Sequence, residues 1–580
     1  MTLSPIFQGP SRLSRSLYMI TTLFFFSFLA LVTSLATEPQ IPLGEPLPAA
    51  QESLQSQDDV LEEVKLGNGI ATDKGSKSWQ TPAQTLRDLF DALNVMQDSY
   101  FCLWLGTWPT SIDWTAAVLA THVGATLSSF TSTYGLDIAN AKQPHEVSFG
   151  ALENTVNYFF SHLNTFYFGE NAFSLRNQAY DDMLWVVLDW LENIKFQNLH
   201  SDLHYSNSND SFGSAWHGTQ FSESAAHRAR IFYELASMGW DKTLCGGGMV
   251  WNPSLEPYKN AITNELYISA SIAMYLYFPG DPIDVPFMAT AQSPLPHDPN
   301  HLVAAVDGYS WLKNSHMTGL YGLYADGFHI RGWRSESDPG TRKCDQLNKM
   351  VYSYNQGVIL SGLRGLWLAT SSHEYLQDGH ELIHRVLRAT GWPKTWSNTW
   401  AGLGRGGILE DSCDSHASCS QDGQTFKGIF FHHLTEFCRP LRIQEERFLA
   451  GQIKRPLAGE EEWEEVYSTH LKRCRAYGPW IEHNARAALI TRDDDGKFGM
   501  WWGLPFLSVL QADEIVNSST IPAGAEDYRN GDLGTSPASL TAGVPRDFND
   551  RGRGRTVETQ SGGVAVLRAL FQWQTSDALS

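Results

Sequence analysis

Two aspartates stand side by side in the stretch NQAYDDMLWVVLDWLEN. They are Asp181 and Asp182, and the apolar run from Met183 to Leu188 follows at once. Neighbouring carboxyls of this kind can divide a proton: one ionises more readily, and its charge then holds the proton on the other. If the apolar run is a buried helix, Asp181 gains the positive helix-end potential and N–H donors that favour its ionised form. Asp182 then keeps a proton near neutral pH. A carboxylate beside a carboxylic acid is what glycosidic-bond hydrolysis requires. One group attacks the anomeric carbon or activates water, and the other protonates the leaving oxygen. A helix-start aspartate can equally serve as a cap, accepting orphan backbone N–H groups.

Three further polar clusters precede apolar segments in the same way. Lys259 to Glu265 contains Asn260 and Asn264; Ser353 to Gly357 contains Tyr354, Asn355 and Gln356; Gln421 to Lys427 contains Asp422 and Lys427. If the segments they open are parallel helices, all four clusters share one rim. Asn260, Asn264, Tyr354, Asn355 and Gln356 can then hydrogen-bond hydroxyl groups or simply cap helices. Asp422 and Lys427 can grip a ligand or pair with each other. Trp251, after the Gly246–Gly248 turn, offers an indole face on which a CH-rich sugar ring could stack.

The elements that must hold these residues are helical. Residues 114–130, 183–191, 266–278, 357–369 and 428–437 are apolar on nearly every side, as helices buried all round are. Segments 225–238, 303–314 and 374–389 have one wet face. Buried and half-buried helices therefore alternate, predicting an inner ring inside an outer one, with the sixth inner helix assigned to the shorter stretch 483–490. Alternating strand patterns are scarce, and one last helix is expected at 561–573. The chain divides into a signal or anchor segment (1–36), a flexible leader (37–80), a catalytic helical domain (81–515) and a loop-rich segment with a closing helix (516–580).

The totals set limits. With 42% hydrophobic and 18% charged residues the chain is globular. A formal net charge of −21 makes nucleic acid an unsuitable partner and favours a neutral or cationic substrate. Arg12 and Arg15 precede the apolar run 17–36, which ends in small residues and reads as a secretory signal cleaved after Ala36. Uncleaved, its length would span a bilayer, and only then is a membrane a partner. Secretion permits disulfides, and Cys413 with Cys419, close together in a polar loop, is the expected pair. An odd total of 7 cysteines leaves at least one thiol unpaired. Asn209 and Asn517 head glycosylation acceptor triplets. His416 and the His432–His433 pair match no zinc spacing, so no metal and no cofactor is expected.

Five stretches in one order carry a resemblance: Tyr180-Asp181-Asp182 with a following Trp, GWDKTLCGGGMVWNP (239–253), KNAITNEL (259–266), YSYNQGVILSGL (352–363) and DGQTFKGIF (422–430). Together they resemble glycoside hydrolase family 76, the endo-α-1,6-mannanases and their fungal cell-wall relatives, over roughly residues 85–515. The resemblance implies an (α/α)6 barrel and hydrolysis of α-1,6-mannan or mannoprotein with retention of configuration. It makes Asp181 the nucleophile and Asp182 the general acid/base. It adds Tyr180 and Asp326, the latter in a short Asp-Gly turn, to the substrate-binding set of Trp251, Asn260, Asn264, Tyr354, Asn355, Gln356, Asp422 and Lys427. Long insertions at 199–224 and 279–300 depart from the family pattern and can narrow a cleft. Some relatives act as transglycosylases joining mannoprotein to glucan and carry a glycolipid anchor. The C-terminal stretch here offers no such signal, which favours a secreted, wall-associated or N-terminally anchored hydrolase. A wall-glycan binder without turnover is the reading from another class.

Overall fold

The inner helices are apolar over most of their surface, and their few charged side chains pair inside the protein. Helix α2 (Asp113–Thr133) is buried at every position from Thr115 to Thr131. The same composition recurs in α4 (Tyr180–His204), α6 (Ala261–Tyr277), α8 (Ser353–Thr370) and α10 (Gln421–Cys438). These observations come from a computed structural model, which describes residues 79–133, 149–205, 215–283, 294–452, 463–516, 518, 520–530 and 547–578. The signal segment, nearly all of the leader, Asn209 and Asn517 lie outside the described residues.

The buried helices pack in sequence. Helix α2 lies on α4, α4 on α6, α6 on α8 and α8 on α10. The last helix, α15 (Val557–Ala578), lies on α10 and returns to α2, so the six contacts form a closed cycle. Glycines set how closely neighbours approach. A Cβ at Gly357 of α8 would lie 2.6 Å from the Cα of Phe430 on α10, and one at Gly428 of α10 would lie 3.1 Å from the Cα of Gly562 on α15. Any side chain there would push the ring apart.

Half-buried helices cover the cycle from outside: α3 (Phe149–Gly169) on α2, α5 (Ser222–Ser237) on α4, α7 (Pro299–Asn314) on α6 and α9 (Glu374–Ala389) on α8. Helices α1 (Pro82–Tyr100) and α13 (Gly478–Ile490) both lie on α15. Two shorter helices, α11 (Ile443–Gln452) and α12 (Trp463–Arg475), fill the link after α10, and α14 (Val509–Val516) stands apart in the C-terminal segment.

The sixth inner helix is therefore not 483–490. That stretch ends α13, where Arg486 and Ile490 are exposed, whereas α15 is buried without a break from Val557 to Phe571. A ring position needs an apolar surface on every side, and only α15 supplies it.

Short strands tie the helix starts together. β1 (Lys259–Asn260) runs straight into α6 and pairs antiparallel with β2 (Gly327–Ile330), which pairs with β3 (Cys344–Asn348) just before α8. β4 (Gly404–Arg405) and β5 (Ile408–Leu409) form a second ribbon ahead of α10. Disulfides join Cys245 to Cys344, Cys413 to Cys419 and Cys438 to Cys474, and Cys102 is free.

Candidate active site

Helix α4 begins with its acids in place. Its N-cap is Ala179, whose side chain accepts nothing, so the first turn is served by its own carboxyls: Asp182 accepts from the Ala179 N–H at 3.1 Å, as the third residue of a capping box does. The N–H of Tyr180 donates to the carbonyl of Trp251 at 2.9 Å, and the Trp251 N–H donates to Tyr258. The helix start is thus sewn to the glycine-rich loop. Lys259 grips that loop from beneath, its ammonium donating to the carbonyls of Asp241, Gly247 and Gly248.

Asp181 is 4% exposed. Burial pushes its carboxyl up to about 6, against the pull of the Arg529 guanidinium and nearby N–H groups. Asp182 is raised well above the ordinary carboxylate range, first by burial and then by the charge of Asp181. Both carboxyls are therefore raised, and the pair releases its protons in two steps that belong to it jointly.

Around them stand residues from the other helix starts. Trp114 of α2 donates its indole N–H to Asp422 of α10 at 2.8 Å and stacks on Trp185, one turn below the acid pair, with centroids 5.6 Å apart. Tyr354 of α8 stacks on Phe426 of α10 at 3.9 Å, and its hydroxyl meets no protein partner. Burial raises that phenol well above its usual value, with Asp326, Asp181 and Asp422 adding to the rise and Arg529 opposing it. Asp326 accepts from the Tyr258 hydroxyl at 2.5 Å and from Asn348 at 3.3 Å, while its other oxygen is buried and unpartnered. The starts of α2, α4, α8 and α10 converge with the β1–β2 edge. The later parts of α4, α6, α8 and α10 meet instead around a cavity of about 50 Å³ that includes Lys195, Ser269, Ser361, His433 and Glu436. Helices α4, α8 and α10, which take part in both groups, therefore run in the same direction.

Several expected ligand-binders are occupied by the scaffold. Asn260 caps α6, accepting from the Thr263 N–H at 3.3 Å. Asn264 clamps Met249, accepting from its N–H at 2.7 Å and donating to its carbonyl at 3.2 Å. Gln356 does the same to Tyr324. Lys427 does not pair with Asp422; its ammonium donates to Asp414 at 2.5 Å, and both are buried. Asn355 is fully buried with neither amide atom partnered. The face of Trp251 carries the Arg529 guanidinium 5.0 Å from the ring centroid, so a sugar and this arginine would compete for it. Tyr180 is partly buried, its ring lying where a Cβ on Gly239 would fall.

Two residues escaped sequence reasoning. Arg529 sits in a Gly-, Pro- and Asp-rich stretch without periodicity, and its signal is chemical: an acid cluster at a buried rim calls for a cation. Trp114 opens α2, whose small apolar residues masked it as core. Metal ligation has two geometric candidates among the described residues, His380–His470–Cys474 and Cys413–Asp414–Cys419. Their cysteines are all in disulfides, so neither offers a thiolate.

The family model Glycosyl hydrolase family 76 matches residues 167–450. That stretch includes the acid pair and Asp422 but neither Trp114 nor Arg529. Mannan endo-1,6-alpha-mannosidase DCW1 of Candida glabrata is 25% identical over 211 residues, 35% of this chain and 37% of that protein. The protein of the same name from Saccharomyces cerevisiae is 24% identical over 216 residues, 36% of this chain and 38% of that one. The chain thus spans little more than a third of the length of these curated relatives. A solved alpha-1,6-mannanase, GH76A of Salegentibacter sp. HEL1_6, as an inactive variant in complex with alpha-1,6-mannotetrose, superposes with a TM-score of 0.46. It is 15% identical, covering 84% of this chain and 99% of that one.

Proposed function

The chain belongs to glycoside hydrolase family 76, and from that premise we propose that it hydrolyses α-1,6-mannosidic bonds in mannan or mannoprotein, on an (α/α)6 barrel, by a retaining two-carboxylate mechanism. Asp181, the one faced by the Arg529 guanidinium at 3.7 Å, attacks the anomeric carbon. Asp182, still protonated, gives its proton to the departing glycosidic oxygen. A water then enters, Asp182 takes its proton, and the resulting hydroxide displaces Asp181 with a second inversion, so configuration is kept. Asp422 and Tyr354, at the same rim, bind sugar hydroxyls. Neutral glycan fits a rim rich in carboxyl groups better than phosphorylated glycan does.

The observation that supports this reading most is the pair of consecutive carboxyls in the first turn of α4, at the rim where Asp422, Tyr354 and Asp326 also stand. Residues 17–36 direct the chain to the secretory route, to the wall or, uncleaved, to a membrane surface. The test is incubation with linear α-1,6-mannan while the anomeric signals are followed by proton NMR. Short oligosaccharides released first as the α-anomer support the proposal. Release first as the β-anomer would overturn retention, and binding without products would overturn catalysis. Products transferred to an added acceptor glycan would make the enzyme a transglycosylase.

A further inference from the structure

Arg529 meets an indole face on one side and a carboxylate on the other. Its guanidinium lies over the Trp251 ring and 3.7 Å from the Asp181 carboxylate, and its side chain is 19% exposed. Among the described residues it is the cation whose charge bears on Asp181. The turn that presents it, 526–530, is tied to three elements of the rim. The side-chain amide of Asn348, at the end of β3, donates to the Glu526 carbonyl at 2.8 Å and accepts from the Glu526 N–H at 3.0 Å. The hydroxyl of Tyr352, the N-cap of α8, donates to Asp527 at 2.6 Å, and the N–H groups of Arg529 and Asn530 donate to the same oxygen. The N–H of Ser420, the N-cap of α10, donates to Asn530 at 3.0 Å. A loop that only covered the surface would not need three anchors converging below one side chain.

We propose that Arg529 is a positioning residue for the reaction, acting through Asp181: the 526–530 turn seats its guanidinium between the Trp251 face and the Asp181 carboxylate, fixing the orientation and the counter-charge of that carboxylate. The inference rests on the role given to Asp181 above. A planar guanidinium can lie flat on an indole while one edge faces a carboxylate, and an ammonium supplies the charge without that geometry. Charge and orientation are therefore separable. Removing the charge leaves a buried carboxyl facing other acids, so it binds its proton more tightly. Removing only the planar fork leaves the charge but frees the rotamer.

The experiment compares the wild type with Arg529→Gln and Arg529→Lys on α-1,6-manno-oligosaccharides across the acidic and neutral range. For Arg529→Gln, kcat falls by about 10–100-fold, KM changes little, and the acid limb of the pH profile moves to higher pH. Arg529→Lys returns the limb toward its wild-type position but recovers only part of the kcat. An unmoved limb in Arg529→Gln would overturn the proposal. So would a loss confined to KM, which would make Arg529 a substrate contact. Carbon-13 NMR titration of the aspartate carboxyls, with Asp181 assigned through Asp181→Asn, reads the same hold without turnover. Asp181 titrates higher in Arg529→Gln, and an unchanged titration refutes the inference even if mannan proves not to be the substrate. Should Arg529→Gln not fold, Tyr352→Phe loosens the turn while keeping the charge. It then moves Asp181 in the same direction by a smaller amount, and no movement counts against the proposal.

Discussion

At the N-terminal ends of the inner helices the carboxyl groups are short of cations; in their C-terminal half they are surrounded by them. Asp181 and Asp326 are buried, Asp182 is half-buried, and all three are raised, with Arg529 as the opposing charge. Glu436, equally buried, accepts from Lys195 at 2.9 Å, Arg439 at 2.8 Å and Arg568 at 2.6 Å. Glu445 accepts from Arg439 at 2.5 Å and Arg364 at 3.1 Å. Burial alone would push both glutamates up, but the cations outweigh it and hold them well below the carboxylate range. Desolvation is common to the two regions, so partnership decides the difference. The saturated network binds α4, α8, α10 and α15 together. The rim, with one opposing cation among the described residues, leaves its carboxyls raised.

The comparison breaks most severely at the acid pair. Asp181→Asn and Asp182→Asn should each lose three or more decades of kcat, about 4 kcal/mol, with circular dichroism unchanged; assays on α-1,6-mannan check this. Next comes Glu436→Gln, which leaves Arg568 without a carboxylate partner while Lys195 keeps Glu192 and Arg439 keeps Glu445. A loss of about 3–5 kcal/mol of stability is expected, seen as a lower denaturation midpoint, while the pH profile of the remaining activity keeps its shape. A smaller effect tests the clamps. Asn264 holds the Met249 backbone beside the acids, and Asn484 of α13 holds Leu409 and Gly407 away from them. Either alanine variant should cost about 1–3 kcal/mol of stability, but only Asn264→Ala should also raise KM.

The smallest expected effect has the opposite sign. Asp182 binds its proton more tightly in the folded chain than in the unfolded one, so its contribution to stability falls as pH rises above the ordinary value of 3.8. Asp182→Asn removes that penalty. Its melting temperature at neutral pH should rise by about 1–3 °C, and the gain should vanish below the ordinary carboxylate value. Glu436 behaves in reverse: its stabilisation is complete above the ordinary range and is lost as pH falls through its lowered folded value.

Much of this arrangement was legible in the chain. Helices with no polar face announce their own burial, and an acid doublet at the mouth of one of them stands out because its neighbours are apolar. The polar clusters before α6, α8 and α10 were equally visible. Their division of labour was not, because a carboxamide that clamps a backbone and one that would clamp a sugar are the same letter. Asn264 and Gln356 turned out to serve the scaffold, and Lys427 found Asp414 through a fold in the loop before α10. The sixth inner helix was misplaced because α13 follows α10 sooner along the chain. Ring position depends on which helix can touch both α2 and α10, and local periodicity carries no information about that. Arg529 was invisible for the same reason, since its partners lie hundreds of residues upstream.

Because α15 occupies the gap between α2 and α10, a ribosome must pass residue 557 before the wall can be completed. Until then the two flanking helices present long greasy stripes to their surroundings, and nascent chains of this kind depend on chaperones to stay soluble. The arginine that faces Asp181 emerges only shortly before that last helix. A chain stopped ahead of residue 529 therefore has both acids but lacks the guanidinium that faces Asp181.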